Sequence, residues 1–233
     1  MGATNPTQSA PSEADASRLL RPGLLRGVSI VLAGAGKPAG LGDRPSPKEA
    51  IAKLCTTLGA RVLQCDANAD GDADEAGASV QRLLADSAGV ELLVVDGAAL
   101  FARAGEDGDA RQALRVCLAA SWQITRAVAE HAFLTSGRGG RIVYVTPSAG
   151  AQRSAVVEHA DAARAGLENL ARTLSIEWAR HGITAVAVTP GADGADPFAR
   201  AGEVAALTAY LASPAGAYFS GCLLDLRGPS TAS

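Results

Sequence analysis

The stretch "HADAARAGLENLARTLSIEWARHGITAVAVTPG", residues 159–191, decides the fold. Leu167, Leu170, Leu174 and Trp178 recur at helical spacing, which predicts a long helix from about Asp161 to His181. Glu168 and Arg172 stand four apart on its polar side and predict an ion pair. "ITAVAVTPG" then reads as a strand that ends at Pro190-Gly191. A helix feeding a buried strand is the repeating unit of a parallel α/β sheet.

The same alternation runs through the rest of the chain. "VSIVLAG" (28–34) is a continuous apolar run followed by glycines, as a strand buried on both faces requires. "SPKEAIAKLCTTLG" follows as a helix, with Ser46 as cap, Pro47 in the first turn, Glu49 closing a capping box and Gly59 as the stop. "ARVLQCD" (60–66), "VELLVVDG" (90–97), "GRIVYVTPS" (140–148) and "GCLLDLRG" (221–228) complete six strands with "ITAVAVTPG". Between them lie a short helix "ASVQRLLADS", a long one over residues 111–134 that is apolar nearly all round, and "GEVAALTAYLAS". The order implies an α/β, Rossmann-like, doubly wound parallel sheet.

Bulk composition narrows the function classes. A chain of 233 residues fits one domain with a large core. Residues 1–24 are expected to be a disordered tail and residues 25–233 a single domain. With a net charge of -3 and interspersed signs there is no basic stripe for nucleic acid and no polybasic membrane patch. No signal-peptide core and no membrane-length apolar run stand in the sequence, so a cytoplasmic protein is expected. Cys55, Cys65, Cys117 and Cys222 are widely spaced and lack a C-x-x-C pair, which points to buried free thiols rather than a disulfide frame or zinc site. "NADGDADEAG" reads as an acidic connection without the ligand spacing of a calcium loop.

"GRIVYVTPSAG", "RAGLENLARTLSIEWARHGI", "AVTPG" and "GEVAALTAYLASPAGAYFSGCLLDLRG" together make residues 25–228 resemble a short-chain dehydrogenase/reductase, similar to the β-ketoacyl carrier-protein reductase branch. The resemblance implies hydride transfer between a nicotinamide cofactor and a carbonyl or alcohol. It also implies a Ser, a Tyr, a Lys and an Asn in the active site, with Tyr moving the proton. In register those positions hold Pro147, Ala160, Arg164 and Cys117, so this is a degenerate member. Pro147 and Ala160 carry no transferable proton, and a guanidinium is a poor relay. The displaced candidates are Ser148, His159 and Arg164.

For the cofactor, Gly34, Gly36, Gly40 and Gly42 offer a glycine-rich turn. Asp66 stands where the family places the ribose acid of NAD, and Pro190-Gly191 stand near the nicotinamide. Counted back from "LGA", however, the family's helix-starting glycines fall on Ser46, Pro47 and Lys48, so the loop is lengthened. The family's Asn-Asn-Ala-Gly is Val95-Asp96-Gly97-Ala98 here. Too few residues separate Asp66 from Val90 for the usual edge unit, and too few separate Gly191 from Glu203 for the family's substrate lid, with Ala195 near its Thr position.

These losses agree with one another. They predict a catalytically defective protein that persists as an assembling or stabilising subunit, paired with itself or with an active reductase of the same family. Weak NAD(H) binding or none is expected. The alternatives are an active NAD(H)-dependent oxidoreductase with displaced groups and a non-catalytic NAD-sensing module. The resemblance makes the helices 111–134 and 161–181 subunit contacts. Small residues Ala162, Ala163 and Ala165 permit close approach there, and Ala119 and Ala163 are the positions where a charge would break assembly.

Overall fold

Six parallel strands form one sheet: β1 (Ser29–Gly34), β2 (Arg61–Asp66), β3 (Leu92–Asp96), β4 (Gly140–Val145), β5 (Ile183–Thr189) and β6 (Leu223–Asp225). Their spatial order is β2-β1-β3-β4-β5-β6. The computed structural model describes residues 20–36, 45–67, 73–85, 87, 89–148, 155–191 and 200–227. The tail, Gly40, Gly42, Ala195 and the segment in place of a lid lie outside the described residues.

Alternation along each strand divides the core between two faces. Ile30, Leu32, Leu92, Val94, Val143 and Val145 point to one side, where they meet Ile51 and Cys55 of α1 (Pro47–Thr57) and Val204 and Leu211 of α6 (Ala201–Ala212). Val31, Val95, Ile142 and Tyr144 point to the other. There they meet Val80 of α2 (Ala73–Ala85), Ile124 of α4 (Ala110–Val128) and Leu167 and Leu174 of α5 (Ala155–Glu177). Strands buried on both faces have to be apolar throughout, which is why they stand out in the sequence.

The capping box at α1 forms as expected: Ser46 Oγ accepts from Glu49 N, and Glu49 returns a bond to Ser46 N at 2.8 Å. Gly59 follows with φ +97°, a conformation that leaves a side chain strained. β2 has no strand on its outer side among the described residues. The chain passes from β2 through α2 directly to β3, on the far side of β1.

Four local expectations are corrected. α2 starts at Ala73, so half of the acidic connection is helix, because Asp74 and Glu75 suit a first turn. α3 (Gly97–Ala104) follows β3 with no loop, its N-cap being Asp96, whose carboxylate accepts from Ala99 N at 3.0 Å. The helix over 111–134 stops at Val128 and continues as a π-helical turn, Ala129–Phe133. α5 begins at Ala155, several residues before Asp161, and Glu168 pairs with Arg164 at 3.4 Å instead of Arg172.

Candidate functional site

Doubly wound sheets bind ligands outside the carboxyl ends of their strands, where the chain reverses its winding. Here that switch point lies between β1 and β3, at Gly34 and Asp96. The two backbones meet closely: a Cβ on Gly34 would lie 2.8 Å from Asp96 Cβ. Gly34 is therefore fixed by packing against Asp96. Gly36, two residues on, is exposed with open space beside it.

Asp96 is fully buried. Burial pushes its carboxyl up to about 6, against the pull of the Ala99 N–H, the Lys48 charge and the backbone N–H groups of Lys48 and Ala98. Its Oδ2 makes no hydrogen bond. A buried carboxylate thus stands beside Gly34 at the strand ends, where it feels the Lys48 charge.

Asp66 lies at the tip of β2, 72% exposed at its side chain, but its carboxylate is taken by the Lys48 ammonium. Lys48 is the second residue of α1, and its side chain is only 7% exposed. Its Nζ also donates to the Cys65 carbonyl at 3.0 Å. Sequence reasoning gave Lys48 no role, because a lysine in a first helical turn reads as solvated. The informative signal was its register, on a position where the family has a glycine.

In register with the reductase positions stand Pro147, Ala160, Arg164 and Cys117. Pro147 is buried. Ala160 is 5% exposed inside a continuous helix, so His159 beside it points about 100° away around the axis. Ser148 Oγ is buried and has no hydrogen-bond partner, so it is not joined to His159. Arg164 is held by its own helix, donating to Asp161 at 2.8 Å and Glu168 at 3.4 Å. Cys117 donates to the Gly97 carbonyl at 3.3 Å, and burial with the nearby Asp96 charge pushes its thiol up to about 12. The one tyrosine on β4, Tyr144, is sealed in the core with its hydroxyl on Thr125 at 2.7 Å.

At the other end of the crevice, Thr146 and Thr189 join their buried hydroxyls at 3.0 Å across β4 and β5. Pro190 and Gly191 follow, both buried. A Cβ on Gly191 would lie 2.5 Å from Arg200 Cδ. Arg200 is anchored there by the Leu226 carbonyl at 2.8 Å and by Glu203 at 2.6 Å. Sequence reasoning did not single out Arg200 either. Among the described residues of this crevice, the strand-end acid Asp66 is engaged by Lys48, a buried carboxylate stands beside Gly34, and Arg200 packs on Gly191.

All four cysteines are free; Cys55, Cys65 and Cys117 are buried and Cys222 is half-buried. Among the described residues no helix is long and apolar enough to cross a membrane.

The sequence pattern described as short chain dehydrogenase matches residues 23–201. The chain is 32% identical to nodulation protein G of Rhizobium meliloti (strain 1021), over 89% of this chain and 96% of that protein. It is 28% identical to 2-dehydro-3-deoxy-D-gluconate 5-dehydrogenase of Escherichia coli (strain K12), over 72% of this chain and 67% of that enzyme. Among solved structures, a short chain dehydrogenase from Mycobacterium smegmatis superimposes with a TM-score of 0.69 at 21% identity, covering 90% of this chain and 95% of that one. The fold, the strand-end crevice and these matches lead to one conclusion: this chain belongs to the short chain dehydrogenase family.

Proposed function

We propose that this chain is a non-catalytic member of its family that acts as an assembling or stabilising subunit, with itself or with an active short chain dehydrogenase. One observation carries the reading. The family's proton-transfer position holds the buried Ala160, and the cation one turn on, Arg164, is spent on Asp161 and Glu168. The Ala160 side chain has no proton to give at the place where the family moves its own.

The outward side of the two long helices supports assembly. Ala162, Ala165, Asn169, Arg172 and Ile176 form an exposed stripe on α5, beside the exposed Ala119 and Trp122 of α4. Ile176 is 72% and Trp122 39% exposed. Small residues beside large apolar ones let a second pair of helices approach closely. The free thiols are consistent with a reducing, cytoplasmic setting. Light scattering at micromolar concentration tests the reading. A dimer or larger, or a stoichiometric complex with a co-expressed active relative, is expected, and a monomer that binds no such relative refutes it.

One feature favours a second reading, an oxidoreductase with displaced groups: the unpartnered Ser148 Oγ at the end of β4. Against it, the Ser148 hydroxyl makes no hydrogen bond to His159.

A further inference from the structure

The chain has three lysines, Lys37, Lys48 and Lys53, against eighteen arginines, and one of them is almost fully enclosed. Burying an ammonium is costly unless its donors are satisfied. Lys48 satisfies it with the Cys65 carbonyl and the Asp66 carboxylate, both at the tip of β2. Its backbone is on the first turn of α1. The side chain therefore runs from the N-terminus of α1 to the acid at the end of β2. In a doubly wound fold an adenosine diphosphate moiety spans those same two points, its phosphates on the helix and its ribose hydroxyls on the acid.

We propose that Lys48 is the specificity-determining residue that closes this crevice to dinucleotides, its own side chain occupying the span between helix and acid. Three further features act in the same direction. Asp66 cannot offer both carboxylate oxygens to a ribose while one holds Lys48. The buried Asp96 sets a carboxylate beside Gly34 at the strand ends, where a pyrophosphate would need positive potential. Arg200 packs over Gly191 at the opposite end, so both ends are filled by cations that are already paired, Lys48 with Asp66 and Arg200 with Glu203. Lys48 also ties α1 to the exposed edge strand β2, which no outer strand braces among the described residues.

The test uses the full chain. Calorimetry with NAD, NADP and adenosine diphosphoribose is run on the wild type, Lys48→Gly, Lys48→Ser and Lys48→Gly/Asp66→Asn. The proposal expects no saturable binding to the wild type. It expects a gain of at least about tenfold in affinity for NAD in either single variant, lost again in the double variant because the freed acid provides it. Micromolar binding of either dinucleotide to the wild type overturns it, as does a folded single variant that gains nothing. Should both single variants fail to fold, amine acetylation of the native wild type followed by mass spectrometry decides. Lys48 must be protected relative to the exposed Lys53, with no further change on adding NAD, and equal reactivity overturns the proposal. Failure here is distinct from failure of the subunit reading: binding without turnover removes the Lys48 inference alone, and a monomer with a closed crevice removes assembly alone.

Discussion

Gly34 and Asp96 are packed so closely that a single added carbon at residue 34 would stand 2.8 Å from Asp96 Cβ and 3.3 Å from its carbonyl oxygen. Both lie in paired strands, so neither backbone can yield freely. Gly34→Ala should therefore destabilise the protein by about 1–3 kcal/mol, the range for overpacking a dense core. Urea unfolding followed by circular dichroism measures it. An unchanged midpoint would show that the switch point is looser than described.

Asp96 supplies a pH dependence with a defined sign. Its folded value, about 6, lies above the ordinary 3.8, so the protonated form is the one the fold prefers. The associated stability is complete below the unfolded value and is lost as pH rises through about 6. Two units correspond to about 3 kcal/mol at neutral pH. Asp96→Asn keeps a capping oxygen for Ala99 and removes the charge. Relative to wild type, the variant should gain stability from pH 4 to pH 8 by an amount of that order. A constant difference across that range would contradict the burial of an ionisable carboxyl.

Cysteine reactivity should rank by enclosure. Burial pushes Cys55 and Cys117 up to about 12, so neither is a thiolate at neutral pH, and Cys222 is the least enclosed of the four. Alkylation of the native protein should mark Cys222 first, with Cys55 and Cys117 labelled only after denaturation. Early labelling of Cys117 would reopen the site around Gly97.

The inner strands β1, β3, β4 and β5 were legible because burial on both faces demands uninterrupted apolar runs, and the partly exposed edge strands β2 and β6 also fall within a few residues of their expected places. Helix starts were less legible. α3 was hidden because its cap, Asp96, is also the last residue of a strand, and α5 because Ala155–Glu158 carry no apolar period of their own. At the site, the replacements Pro147, Ala160 and Arg164 could be read from register. What Asp66 does could not, since that depends on a lysine eighteen residues earlier meeting it across the sheet end. Ala163 was taken as a surface position for a disruptive charge, yet it is fully buried against the chain's own core. A charge there would unfold the subunit and say nothing about assembly.

Assembly is better probed where the surface is free. Ala119 and Ala165 are exposed, as is Ile176. Ala165→Arg and Ile176→Asp should each lower the oligomer's affinity by at least about tenfold while leaving monomer secondary structure intact, because an unpaired charge would be buried only on association. Sedimentation velocity across a concentration series reads this directly. Oligomers unaffected by both changes would locate the contact elsewhere.

With Ala160 at the family's proton-transfer position, this dehydrogenase fold is proposed to perform no proton transfer of its own. The direct measurement is nicotinamide absorbance over time, with purified wild-type protein, NADH or NADPH, and a panel of ketones and β-keto thioesters, and in reverse with alcohols. No rate above the protein-free reaction is expected. A rate that persists through purification and disappears in Ser148→Ala or His159→Ala would contradict it and establish a displaced active site.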